Sequence, residues 1–237
     1  MSIPNPTSTN RIILASYERK TIVDSMKIGI IGSGVVGQTL GQGFAAQGHA
    51  VKIGSRTPNS EKLSAWRKNV HGDLSTGTFA EAAGYGELIV FAPLGSAADS
   101  VIDLAGIKNF SGKVVIDTTN ALDFSKGMPP GLFTGVNDSL GERIQRKLPT
   151  AKVVKCFNTV PNSRMTSPGD KTAEMLICGN NADAKQQVVQ ILRQFGWAGA
   201  IDIGGIGEAF WLEALVPLWV RTANSLNSWN TMFKVLH

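Results

Sequence analysis

From Lys27 onward the chain alternates short, nearly continuous apolar runs with longer stretches in which apolar residues recur at helical spacing. KIGII, AVKIG, ELIVFAPL, KVVIDTTN, AKVVKCFN, EMLICG and WAGAIDI have strand length and end in glycine, proline, asparagine or threonine. Between the first two, Val36, Leu40 and Phe44 recur at i, i+4 and i+8, as one face of a helix requires. NSEKLSAWRKNVH (59–71) sets Leu63 and Trp66 on one side of a second helix. SAADSVIDLAG, DSLGERIQRKL and the stretch from Asp183 to Phe195 read as further helices. A Gly/Pro-rich segment, SKGMPPGLFTG, reads as a loop. The tail from Glu208 to the end reads as helix, with a kink expected at Pro217. Strands that alternate with crossover helices, and are apolar on both faces, predict an α/β fold with a doubly wound, mostly parallel sheet covered on both sides.

The 237 residues are 43% hydrophobic and 17% charged, enough to bury a core without disulfides or metals. Cys156 and Cys178 each lie in an apolar run and give neither a disulfide framework nor zinc-ligand spacing, so a reducing compartment, the cytoplasm, is expected. FWLEALVPLWV is the most apolar stretch. Glu213 and Pro217 interrupt it, and it falls short of the roughly 20 residues a membrane span needs, so no membrane association is expected. Residues 1–25 are polar, contain Pro4 and Pro6 and read as a flexible extension. The nucleotide-binding domain is expected over 26–202, with a small helical part over 203–237 that closes the cleft.

The formal net charge of +5 is concentrated. Arg143, Arg146, Lys147, Lys152, Lys155, Arg164 and Lys171 face only Glu142 and Asp170 across residues 142–171, a local +5. Without a longer basic stripe, interleaved aromatics or a known motif, nucleic acid is not the expected partner. A small polyanion or an ordinary solvated surface fits equally well.

Gly32-Ser33-Gly34-Val35-Val36-Gly37 is a GxGxxG directly after a strand and at the start of a helix. The first glycine allows the tight turn, the second lets the backbone approach a pyrophosphate, and the third lets helix and strand pack closely. The helix N-terminus offers free N–H groups and the positive end of its dipole. In this context the motif marks a Rossmann-type dinucleotide domain. At the end of the second strand an NAD site usually carries an acid for the ribose 2′-OH. Here stand Ser55, Arg56 and Thr57: no acid, a guanidinium fork for a 2′-phosphate and two hydroxyls, which favours NADP(H). Ligands in such sheets lie at the carboxyl ends of the strands, so Ala92-Pro93-Leu94, Asn120 and Asn158 are candidates to line the nicotinamide end. Each polar residue there could instead cap the helix that follows.

No acid–base residue is identified. The three histidines (His49, His71, His237) sit away from the strand ends, and Tyr17 and Tyr85 form no Tyr-x-x-x-Lys pair. That favours an acceptor taking hydride without a dedicated protein acid, such as a flavin or deazaflavin, although water or Asn120 could assist. The alternatives are an NADPH-dependent reductase of a small ketone, imine or quinone, and a noncatalytic NADP-binding redox sensor.

GIIGSGVVGQTLGQGFAAQGHAVKIGSR, VVKCFNTVPNSRM, MLICGN and LEALVPLWV together resemble the NADP oxidoreductases that use the deazaflavin coenzyme F420. The same stretches are similar to the cytoplasmic module of certain membrane ferric reductases. The resemblance runs from about Met26 to Lys234. It implies hydride transfer between NADPH and a deazaflavin, with Ser33 to Val36 on the pyrophosphate and Ser55, Arg56 and Thr57 on the 2′-phosphate. It further implies Ala92 to Leu94, Asn120 and Asn158 around the nicotinamide, and Val160, Pro161 and Arg164 toward the second substrate. Leu215, Val216 and Pro217 would close the cleft, the basic cluster would meet the acidic tail of the deazaflavin, and a Trp-rich tail (Trp211, Trp219, Trp229) would form a homodimer.

Overall fold

The computed structural model describes residues 25–237. The expected N-terminal extension therefore lies outside the described residues except for Ser25. Ten strands are present: β1 (Lys27–Ile31), β2 (Ala50–Gly54), β3 (Leu74–Gly77), β4 (Leu88–Phe91), β5 (Val114–Asp117), β6 (Leu122–Asp123), β7 (Gly131–Leu132), β8 (Lys152–Lys155), β9 (Glu174–Gly179) and β10 (Gly199–Asp202). The helices are α1 (Val35–Ala46), α2 (Glu61–Asn69), α3 (Phe79–Tyr85), α4 (Ala98–Ala105), α5 (Leu140–Lys147), α6 (Asn162–Met165), α7 (Ala182–Gln194) and α8 (Ala209–Ser225).

Eight strands form one sheet in the order β3-β2-β1-β4-β5-β8-β9-β10. Neighbours run parallel from β3 through β8. The strand order reverses between β1 and β4, the switch point where this architecture binds dinucleotides. Alternate side chains divide between two cores. Ile28, Ile30, Leu88, Val90, Val114 and Ile116 pack under α1, α2 and α7, whereas Ile31, Ile89, Phe91 and Val115 pack under α3, α4, α5 and the start of α8. The expected helix faces are in place: Leu40, Phe44 and Leu63 are fully buried and Trp66 nearly so.

Four features depart from the sequence reading. β9 runs antiparallel to β8, because only the single turn α6 lies between them and no crossover helix returns the chain to the starting edge. β10 then pairs parallel with β9 through α7. β3 and α3 form from LSTG and FAEAAGY, where apolar alternation is weak. The legible signal was the capping box Thr78/Glu81, in which each side chain bonds the other's backbone N–H. The Gly/Pro-rich segment holds a short antiparallel hairpin, β6–β7. The tail is helical only through Ser225; beyond it, Trp219 Nε1 donates to the Thr231 carbonyl, folding residues 226–231 back on α8. Among the described residues no helix is long and apolar enough to cross a membrane.

Candidate functional site

The carboxyl ends of five adjacent strands are joined by single backbone hydrogen bonds just past the strands themselves. Gly32 N donates to Gly54 O, Ala92 N to Ile31 O, Thr118 N to Phe91 O and Cys156 N to Asp117 O, at 2.9–3.1 Å. The residues that follow β2, β1, β4, β5 and β8 therefore stand in a row. That row holds, in order, Ser55-Arg56-Thr57, the glycine loop, Ala92-Pro93-Leu94, Asn120 and Asn158.

In the glycine loop, Gly32 has φ +123°, and a Cβ there would lie 2.5 Å from the Ala92 carbonyl oxygen. A Cβ on Gly37 would strike the Gly32 carbonyl, so that glycine lets α1 pack on β1. Gly34 is different: apart from its own chain neighbours, nothing among the described residues lies within 4 Å of a Cβ built on it. Internal packing thus gives no reason for a glycine at 34, and the cleft in front of it is an open cradle of the kind a pyrophosphate fills. α1 starts at this point with no side-chain cap and no acidic residue in its first turn, so its leading N–H groups face the cradle free. The Gln38 side chain fixes the loop by donating to Ser33 O at 2.8 Å, and Ser33 Oγ donates to Ser55 Oγ at 3.1 Å.

At the end of β2 the three candidates divide their work. Ser55 is buried, and its Oγ accepts from both Ser33 Oγ and Thr57 N, so it braces the two loops against each other. Arg56 and Thr57 are exposed, and Arg56 makes no ion pair with any described residue. A free guanidinium beside the cradle suits a 2′-phosphate.

At the other end of the row Asn120 and Asn158 clasp each other. Asn158 Nδ2 donates to Asn120 Oδ1 at 3.0 Å, and Asn120 Nδ2 donates to Asn158 O at 3.3 Å. Asn158 Oδ1 is buried with no hydrogen-bond partner among the described residues, a cost that a carboxamide N–H would relieve. Phe157, fully buried, holds φ +66° and so turns the chain sharply between β8 and Asn158. Such backbone is retained where packing fixes it, and Phe157 packs on Phe195, which stacks edge-on with Phe44. Ala92 and Pro93 are half-buried, while Leu94 is 79% exposed.

Of the residues assigned to the second substrate, Val160 is half-buried and Pro161 buried. Arg164 is half-buried and uses two of its five donors within the fold: Nε on Asn230 Oδ1 and Nη1 on Pro168 O, tying α6 to the tail. On α8, Val216 is buried and Leu215 and Pro217 are half-buried.

The basic cluster is corrected. Arg143 and Arg146 both pair with Asp138 at 2.6 Å, and their hydrogen bonds hold its carboxyl down at about 2. Lys147 pairs with Asp99 and Asp103. Lys155 is fully buried between Asp117 (3.0 Å) and Glu213 (2.9 Å), both also fully buried. Burial works against the Lys155 ammonium, but the two carboxylates outweigh it and raise its pKa above the ordinary lysine value. Four of the seven basic residues are thus neutralised by acids that lie outside the 142–171 segment. Nothing in the sequence marks Asp117 or Glu213 as partners of Lys155, because each sits alone in an otherwise apolar run.

None of the described histidines or tyrosines reaches the row. His49 accepts from Met26 N at the opposite end of β1 and β2, and His237 pairs with Glu174. Tyr85 lies under Lys27 and Lys52. Both cysteines are free and buried; burial raises the Cys156 thiol well above its ordinary value and pushes Cys178 up to about 12, so neither is a nucleophile.

A family model described as NADP oxidoreductase, coenzyme F420-dependent, matches residues 27–121. The chain is 31% identical over 212 residues to the F420-dependent NADP reductase of Methanothermobacter marburgensis, covering 83% of this chain and 92% of that protein. It is 28% identical over 202 residues to the metalloreductase STEAP3 of Rattus norvegicus, but spans only 38% of that protein's length. A crystal structure from Arthrobacter sp. FB24, provisionally described as an F420-dependent NADP reductase, is 38% identical and superposes with a TM-score of 0.85 over 90% of this chain and 100% of that one.

Proposed function

The chain belongs to the coenzyme F420-dependent NADP oxidoreductase family, and from that premise we propose that it passes a hydride between NADP(H) and a deazaflavin, or a flavin-type ring, laid against the Asn120–Asn158 end of the cleft. The observation that carries this reading is the order of groups along the strand ends: free Arg56, then the open Gly34 cradle at the N-terminus of α1, then the asparagine pair with its orphaned acceptor. An extended dinucleotide, with its 2′-phosphate at Arg56, needs its groups in that sequence. When bound, NADPH would supply a hydride from its nicotinamide ring to the acceptor, with the accompanying proton drawn from solvent.

The protein's own share is positioning. Arg56 and Thr57 select the phosphorylated ribose, the α1 amides hold the pyrophosphate, and the asparagines orient the nicotinamide through its carboxamide. Gly32 and Ala92, pressed together, form the floor between them. Val160 and Pro161 on one side and the middle of α8 on the other flank the place left for the acceptor.

Mixing the protein with NADPH and oxidised coenzyme F420 in a stopped-flow instrument, with free flavins in parallel, tests the reading. Coupled loss of the NADPH and deazaflavin absorbances is expected. Tight NADPH binding with turnover only of ketones, imines or quinones would overturn the acceptor assignment, and binding with no turnover would point to a redox sensor. We further propose that the protein works in the cytoplasm as a homodimer joined through α8, whose Trp211 and Leu218, seven residues apart on one face, are 54% and 52% exposed.

A further inference from the structure

The C-terminal helix enters the sheet at a single charged point. Glu213 Oε1 lies 2.9 Å from Lys155 Nζ, and that ammonium lies 3.0 Å from Asp117 Oδ2, with all three side chains fully buried. One positive charge therefore meets two negative ones. The excess is met by the start of α5, where Leu140 N and Gly141 N donate to Glu213 at 3.1 and 3.0 Å. A buried ion cluster of this kind contributes little net stability compared with apolar side chains of the same volume, because desolvation offsets the attraction.

What the cluster does hold is geometry. The second oxygen of Asp117 accepts from Thr119 N at 2.9 Å and Thr119 Oγ1 at 2.7 Å, closing the turn that ends in Asn120. Lys155 also donates to Thr119 Oγ1 at 3.5 Å. Asn158 stands three residues beyond Lys155, past the left-handed Phe157, and bonds Asn120. Both asparagines thus hang on backbone that the ion cluster fixes.

We infer that Glu213 is a positioning residue for the nicotinamide: held by α8, it locks Lys155 between two carboxylates and so presents Asn120 and Asn158 to the carboxamide. Docking of the C-terminal helix and formation of the nicotinamide subsite are then one event. The inference rests on the reading of Asn120 and Asn158 given above. It differs from a plain structural role in that it acts only on the nicotinamide end of the ligand.

The test compares NADPH with 2′-phosphoadenosine diphosphoribose, which carries both phosphate features but no nicotinamide, by calorimetric titration of the full chain. Glu213→Gln and Asn120→Ala are each expected to weaken NADPH by roughly tenfold, one hydrogen bond's worth, and to leave the nicotinamide-free ligand within about twofold. The double variant should be no weaker than either single one, since both act through the same contact. Equal weakening of both ligands by Glu213→Gln, or losses that multiply in the double variant, would overturn the inference while leaving the asparagine assignment intact. An Asn120→Ala variant that binds NADPH normally would overturn the assignment and the inference with it. If Glu213→Gln does not fold, Thr119→Val, which removes the hydroxyl between Asp117 and the Asn120 turn, takes its place with the same expected pattern and the same outcomes against it.

Discussion

At Gly34 no packing among the described residues calls for a glycine. Gly32 and Gly37 are demanded by neighbouring backbone, whereas a side chain at 34 would meet only the open cleft. Gly34→Val is therefore expected to leave the fold intact, with a thermal midpoint near that of the parent, while abolishing NADP(H) binding because the isopropyl group occupies the pyrophosphate position; tight binding by the folded variant would contradict the placement. Arg56 allows a finer test. Removing a charge-assisted contact costs about 1.5–3 kcal/mol, and only the 2′-phosphorylated cofactor makes it. Arg56→Ala should raise the Kd for NADPH by roughly 10- to 150-fold and leave that for NADH nearly unchanged, as fluorescence titration of the two would reveal. Ser55, which reads in the sequence as a third ligand to the same phosphate, also braces the loops by accepting from Ser33 Oγ and Thr57 N, which leaves its own hydroxyl proton to donate. A hydroxyl looks the same in sequence whether it faces a ligand or braces a loop.

Elements were legible in proportion to their periodicity. β1, β2, β4 and β5 carry buried runs and were plain; α1 and α2 showed their apolar faces. β3 sits at the sheet's edge, half-buried, so its LSTG lacks a signal strong enough to separate it from a loop. α8 reads correctly as a helix but too long: beyond Ser225 the chain turns, and Leu226, Trp229, Phe233, Val235 and Leu236 are exposed, so no buried face holds them in a helix. Its solvent side remains apolar at Trp211 and Leu218. If that side joins two chains, Trp211→Glu should convert a dimer to a monomer in sedimentation equilibrium with NADPH affinity unchanged. A parent that sediments as one chain would remove the basis for the proposal.

For the whole molecule, stability is expected to depend on pH through His49. It is buried against Phe44 with its Nδ1 accepting from Met26 N, and burial lowers its pKa below the ordinary 6.5, partly opposed by the Gln194 side chain. The unfolded chain takes up a proton near pH 6.5 that the folded one refuses. The contribution is thus fully present above about pH 6.5 and is lost as pH falls toward the depressed folded value. The thermal midpoint should drop between pH 7.5 and pH 5.5, and His49→Gln should flatten that slope; an unchanged slope in the variant would assign it to other groups.

The sequence by itself determined the doubly wound sheet, the glycine-rich loop after β1, the choice of NADP(H) and the strand ends that carry the candidate site. Each of these is written within a few consecutive residues: an apolar run, three spaced glycines, an arginine where an acid would otherwise stand. Tertiary structure alone decided what the charges do. The basic segment reads as a free positive patch, yet Asp99, Asp103, Asp117, Asp138 and Glu213, all outside it, come in to pair with four of its members. It also decided that β9 and β10 reverse direction and that a glutamate in an apolar helix reaches Lys155. Burial and ion pairing depend on which distant segments meet, and a charged residue carries no local mark of whether water or another charge will surround it.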